Sequence, residues 1–158
     1  LDTANTDMCP ACEALLYAAA RAQHVSQVIR PAGERGMLVL CDRFVDSSVA
    51  YQGGGRGLGV ETVQQINDPA VDGMTPDATL YLAIDHREAL RRRLSASEPD
   101  RLELEAGEFH ERVQKAYERL VRDNRRRFVV VDAARGVDEV ARDALDAVLE
   151  RLLPDRRA

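Results

Sequence analysis

Residues 37–59 read "MLVLCDRFVDSSVAYQGGGRGLG". The apolar run "MLVLC", bounded by Gly36 and Asp42, has the length and composition of a buried strand. It ends on a bare Asp-Arg pair, and a glycine-rich run begins later, at Gly53. A phosphate-cradling Walker loop has the form G-x-x-x-x-G-K-[ST], follows a strand directly and opens a helix. "GGGRGLG" lacks the Lys-Ser or Lys-Thr and does not follow the strand directly. The single lysine, Lys115, lies in a segment with helical spacing. These 158 residues therefore contain no Walker loop. The glycines are expected to let a loop turn tightly beside a ligand, with a plain flexible loop as the bland alternative.

Outward from this stretch the chain alternates helices and short apolar runs. Residues 11–35 place Leu15, Ala18, Ala22, Val25, Val28 and Ile29 at helical spacing, and Gly36 ends the helix. The segment 44–59 is too rich in small residues and glycines for a regular element. "VETVQQIND" predicts a helix ending before Pro69. "PDATLYLAID" predicts a second strand and "HREALRRRL" a helix after it, while 95–106 is polar and aperiodic. "GEFHERVQKAYERLVRDN" is helical, with Phe109, Val113, Tyr117 and Leu120 on one face. "RFVVVDA" predicts a third strand and "VDEVARDALDAVLERLL" a last helix. Three apolar strands alternating with helices predict an α/β fold with a parallel sheet covered on both faces. Ligands then gather beyond the strand ends, after Cys41, Ile84 and Val131.

The net charge of −5 argues against a general nucleic-acid binder. No run of about 18 apolar residues is present to span a membrane. Cys9 and Cys12 form "CPAC", but no strand precedes it and no second C-x-x-C completes a zinc set. Cys41 closes an apolar run and is expected to be buried.

Asp42 and Arg43 sit where the predicted strand emerges. An aspartate there can hold Mg²⁺, often through water, and an arginine offers a planar fork to a phosphate. A surface ion pair is the equal alternative. Tyr17 and Arg21 are four apart and share a helix face. A ring beside a guanidinium can stack on a flat base and bond its edge, although a tyrosine at helical spacing is more often core.

"EALLYAAARAQHVSQVIRPA", "CDRFVDSSVAYQGGGRGLG", "PDATLYLAID" and "DRLELE…F" stand in this order along the chain. In order and spacing they resemble the bacterial thymidylate kinases, over about residues 10–150. The resemblance implies a P-loop α/β fold of the nucleoside-monophosphate-kinase type. It implies transfer of the γ-phosphoryl of ATP to dTMP to give dTDP, with Mg²⁺ as cofactor. It further implies a cytoplasmic homodimer paired through helices. Tyr17 falls on the ring that stacks on thymine and Arg21 on the arginine that bonds a thymine carbonyl. Arg43 falls on the arginine that grips the dTMP phosphate, and Asp42 on the aspartate near the metal. Ser48 and Gln52 fall on polar positions facing the base, and Tyr51 on the tyrosine that crowds the 2′ position of the sugar. "RRRLSASEPDR" falls on a lid that closes over ATP, here assigned to 91–106, with Glu103 an acidic residue at its border near metal and phosphate. Bacterial members often carry lid arginines where this chain has Leu94 and Ala96. Arg91, Arg92, Arg93 and Arg101 remain as ATP ligands, and Arg43, Arg93 and Arg101 as groups acting on the transferring phosphoryl.

The family pattern places a first strand, the Walker loop, a helix and a second strand ahead of "LDTANTDMCP". Residues 1–158 are accordingly expected to be one partial kinase domain, its first strands missing, inactive by itself. The rivals are another P-loop nucleoside or nucleotide kinase, which should not need Tyr17, Arg21 and Tyr51 together, and a non-catalytic nucleotide-binding protein that never had a Walker loop.

Overall fold

The computed structural model describes residues 4–95 and 100–152. These fall into two compact units, residues 1–75 with 98–118 and residues 76–97 with 119–158.

The first unit opens with α1 (Pro10–His24), which runs through a π-turn (Val25–Ile29) into α2 (Arg30–Glu34). Pro10 sits at the first helical position, where its missing N–H costs nothing. Gly36, at φ +70°, ends the helix, with its N–H on Gly33 O. The predicted core face is half right. Ala18 and Val25 are buried, as is Ala14 outside the predicted set, but Leu15 and Val28 are more than half exposed.

"MLVLC" forms no strand. It is irregular, and Met37, Leu38 and Leu40 are 56, 59 and 79% exposed. A strand exists by sharing its N–H and C=O groups with a neighbour. Among the described residues no segment pairs with this one, so the apolar run has no sheet to join. Cys41 is exposed rather than buried for the same reason.

The segment expected to be irregular is helical. α3 (Val45–Ser48) continues into a π-helix (Val49–Gly55). Gly57 and Gly59, at φ +75° and +89°, do turn the chain tightly before the next helix, whereas Gly54 and Gly55 let two helices approach. α6 (Gly107–Asp123) passes so closely that a Cβ on Gly54 would lie 2.6 Å from Ala116 Cβ. A Cβ on Gly55 would lie 2.6 Å from Phe109 Cε2. Arg112 of α6 donates from Nε and NH2 to Gly55 O at 3.0 and 2.9 Å, satisfying a carbonyl at the helix end. α4 (Val60–Val71) runs through Pro69 instead of stopping before it. Pro69 lies in the last turn, so it forfeits a single hydrogen bond. The helix ends at Asp72 in the left-handed conformation. The core here is Val49, Ala50, Val63, Phe109 and Val113, all at most 6% exposed.

In the second unit β1 (Thr79–Ala83) and β2 (Phe128–Asp132) pair in parallel, Leu80 opposite Val129 and Leu82 opposite Val131. The parallel pairing agrees with the sequence pattern. Among the described residues the sheet has two strands rather than three, and Leu82 and Val130 are about half exposed, so its faces are not fully covered. α5 (His86–Leu94) follows β1, and α7 (Val137–Leu152) follows β2. Asp85, at the ligand edge of β1, caps α5 by accepting from the N–H groups of Arg87 and Glu88. Among the described residues no helix is long and apolar enough to cross a membrane.

Two helical glycines should answer oppositely to alanine. Gly54→Ala forces Cβ into Ala116 and should cost roughly 1–3 kcal/mol. Gly33→Ala, in α2 with nothing within 4 Å of the new methyl, should be neutral or stabilising by about 0.4–1 kcal/mol. Thermal melts of the two variants check this. Equal melting temperatures would show that the helices are not in contact at Gly54.

Candidate active site

Three residues of α1, Glu13, Tyr17 and Arg21, stand at four-residue intervals and so line one face. Ser48 and Gln52 are likewise four apart on the helix through α3 and its π-segment. Two side-chain rungs join these faces. Arg21 NH2 donates to Ser48 Oγ at 2.9 Å. Gln52 Nε2 donates to Glu13 Oε1 at 2.8 Å. Tyr17 lies between the two rungs along α1.

The Arg21 guanidinium is held on several sides. It donates to Asn67 Oδ1 and, at 3.3 Å, to Phe44 O, and it sits 5.5 Å from the centre of the Phe44 ring. Asn67 is itself buried and donates to Val63 O at 2.8 Å. Burial lowers the Arg21 pKa, but from so high a value that the group stays charged at neutral pH.

Glu13 is 2% exposed and carries the densest network. Besides Gln52 it accepts from Arg56 Nε and NH2, each at 3.3 Å, and from Arg101 NH2. Arg56 also donates to Glu105 at 2.5 Å and lies over the Phe109 ring. Burial pushes the Glu13 carboxyl pKa up, but hydrogen bonds from Gln52, Arg101 and Arg56 outweigh it and hold it below the ordinary value. The same carboxylate, after burial, helps raise the pKa of Tyr17.

Arg43 adopts φ +61°, a left-handed conformation that costs a non-glycine residue energy. Its guanidinium carbon lies 5.0 Å from the Tyr51 ring centre, and NH2 donates to the Tyr51 hydroxyl at 3.4 Å. Tyr51 meets Phe109 and Tyr117 edge-on at 6.1 and 6.4 Å between centroids. Tyr117 shares a 2.8 Å hydrogen bond with Ser47, and burial pushes its pKa up to about 12. Asp42, one residue before Arg43, is exposed.

Tyr17, Arg21, Arg43, Ser48, Tyr51 and Gln52 thus belong to the first unit, as do Asp42, Arg101 and Glu103. Arg101 is tied to Glu13, yet its Nε is buried without a hydrogen-bond partner. Glu103 accepts from the Asp100 N–H at 2.9 Å. Arg91, Arg92 and Arg93 belong to the second unit, on α5. Arg91 and Arg92 donate to Glu88, which they hold at a pKa of about 2. Arg92 also donates to the carbonyls of Ala133 and Ala134, each at 2.9 Å, which makes it a brace for the end of β2. Arg93 is half-buried. Residues 96–99 of the expected lid, Ala96 among them, lie outside the described residues. No group of three or more His, Cys, Asp or Glu side chains that could hold a metal is found among the described residues.

Sequence reading overlooked Glu13, Arg56 and Asn67. Glu13 had a signal: it stands one turn before Tyr17, between the buried core and Arg21's face. Asn67 had none, because an asparagine in a polar helix looks the same whether it faces solvent or a buried arginine.

Comparison with known proteins identifies the family. The family model described as Thymidylate kinase matches residues 1–144. The thymidylate kinase of Lactiplantibacillus plantarum is 48% identical over 154 residues, covering 96% of this chain and 70% of the relative. That of Geobacillus thermodenitrificans is 47% identical over 159 residues, covering 99% of this chain and 71% of the relative. That of Bacillus pumilus is 46% identical over 154 residues, covering 96% and 73%. The chain belongs to the thymidylate kinase family, whose fold is that of the P-loop nucleoside-monophosphate kinases.

Proposed function

We propose that the protein transfers the γ-phosphoryl group of ATP to dTMP, and that the first unit carries the dTMP site. The observation that carries this reading is the pair of rungs around Tyr17. They set a donor, Arg21, and an amide, Gln52, on either side of a ring that can stack on a base. Thymine on Tyr17 would offer its O4 to Arg21 and its N3–H toward Gln52 and Ser48. Tyr51 fills the space against the sugar. Arg43, aimed by its left-handed backbone, grips the dTMP phosphate.

In the reaction a phosphate oxygen of dTMP attacks the γ-phosphorus of ATP. The bond to the β-phosphate oxygen breaks, and ADP leaves as dTDP forms. Such transfer depends on position and on cancelling charge more than on covalent help from the protein. Arg43 fixes the acceptor. Arg101, which keeps an unpartnered Nε, and Arg93 are the candidates to neutralise the transferring group. The family resemblance makes Arg91 and Arg92 of α5 further candidates toward ATP.

The carboxylates of Asp42 and Glu103 suit Mg²⁺, a hard cation that takes one or two protein oxygens and otherwise waters and phosphates. Held by Asp42 and Glu103, such an ion would offset the negative charge of the phosphates. We place the protein in the cytoplasm, where exposed thiols such as Cys9, Cys12 and Cys41 stay reduced. Leu15 and Leu16, each more than half exposed on α1, support a homodimer paired through helices.

Arg43→Ala should weaken dTMP binding by about 1.5–3 kcal/mol, and Arg43→Lys should not restore it, because a point charge cannot reproduce a planar fork. Calorimetric titration with dTMP measures both. Full affinity in Arg43→Ala would make Arg43 a surface residue.

Discrimination against ribose should fall with Tyr51→Ala. The preference for dTMP over its ribonucleotide, worth roughly 1–3 kcal/mol from a crowded or unpaired hydroxyl, should shrink toward zero in competition titrations. An unchanged preference would remove Tyr51 from the sugar site.

A further inference from the structure

We infer that Glu13 determines base selectivity by fixing which end of the Gln52 amide faces the base. The inference rests on the reading that thymine stacks on Tyr17. A side-chain amide has a donor end and an acceptor end, and either can face a ligand unless a partner chooses. An ionised carboxylate only accepts. Glu13 therefore takes the Nε2 end of Gln52, at 2.8 Å, and leaves the carbonyl end, Oε1, for the base.

That choice matches one class of base. Thymine carries a proton on N3 and can donate to a carbonyl oxygen. Cytosine has a lone pair on N3 and would meet Gln52 Oε1 acceptor to acceptor. Arg21, a donor on the other rung, makes the same choice again, favouring a carbonyl over an amino group at position 4.

The device works while Glu13 is charged and in place. Two arginines see to both. Arg56 grips the two carboxylate oxygens together, and Arg101 adds a further hydrogen bond. Glu13 and Gln52 are each 2% exposed, so water cannot easily replace either partner. The lowered carboxyl pKa agrees with an acceptor that stays ionised. Glu13 touches no substrate atom in this arrangement. It is a positioning residue acting through Gln52.

Glu13→Gln is the decisive substitution. The new amide can donate to Gln52 Oε1, which frees the Gln52 amide to turn its NH₂ toward the base. Affinities for dTMP and dCMP are to be measured by calorimetry on the wild type and the variant, with thermal melts to follow folding. The expected result is a fall in the dTMP-to-dCMP affinity ratio of about 10-fold or more. Gln52→Met should lower the ratio as far, and the double variant should fall no further than either single one.

Equal weakening of both nucleotides by Glu13→Gln, with the ratio kept, would overturn the inference and leave Glu13 as a brace. If unmatched arginines keep Glu13→Gln from folding, Glu13→Asp retains the charge and shortens the reach to Gln52. A reduced ratio in it supports the inference, and an unchanged ratio overturns it. A wild type that binds neither nucleotide would overturn the dTMP reading itself, whereas a selective wild type with an equally selective Glu13→Gln overturns this inference alone.

Discussion

A carboxylate taken out of water must find donors, and the first unit is arranged around the ones that Glu13 finds. Gln52 and Arg56 come from one segment and Arg101 from a distant one, and all three converge on two oxygens. Breaking such a buried pair from one side costs about 3–5 kcal/mol, because the remaining charge is stranded. The arrangement is mutual: Arg56 and Arg101 are 15 and 12% exposed and need Glu13 as much as it needs them. Since the Glu13 pKa is lowered on folding, its contribution to stability is complete above the ordinary carboxylate range. It is lost as the pH falls through the lowered value.

Geometry brings this network beside the face that carries Tyr17 and Arg21. Glu13 anchors one rung, Arg21 the other, and the helix repeat places Tyr17 between them. Close helix contact on the opposite side holds the partner helix in place. Gly54 and Gly55 admit α6 at a distance no side chain would allow, and α6 brings Phe109 and Tyr117 against Tyr51. At these two positions glycine supplies room, while Gly57 and Gly59, at positive φ, supply the turn that follows. The placement of the Tyr51 ring and that of the Gln52 amide thus both depend on how closely these helices pack.

Helices in the segments 10 to 34, 60 to 71, 86 to 94, 107 to 123 and 137 to 152 were legible, because apolar spacing and end signals such as Gly36 act locally, although α4 runs past the end that Pro69 suggested. Strands were legible where a partner exists. "TLYLA" and "FVVVD" pair, and "MLVLC", with the same apolar signal, does not. Pairing is a property of two segments, so one apolar run cannot announce it. The glycine run misled in a related way. Glycine is read as flexibility when the contact that requires it comes from a helix half the chain away. Tyr17, Arg21 and Gln52 were found through family resemblance, while Glu13 and Asn67, which orient them, had to be seen in three dimensions.

The central claim is that thymine is read between the two rungs with the Gln52 carbonyl toward N3. A crystal structure of the protein with dTMP tests it most directly. The account predicts the base stacked on Tyr17. O4 should lie within about 3 Å of the Arg21 guanidinium and N3 at a similar distance from Gln52 Oε1, with Glu13 still bonded to Nε2. A base bound away from Tyr17, or a Gln52 amide that has left Glu13 to turn its NH₂ toward the base, would contradict it.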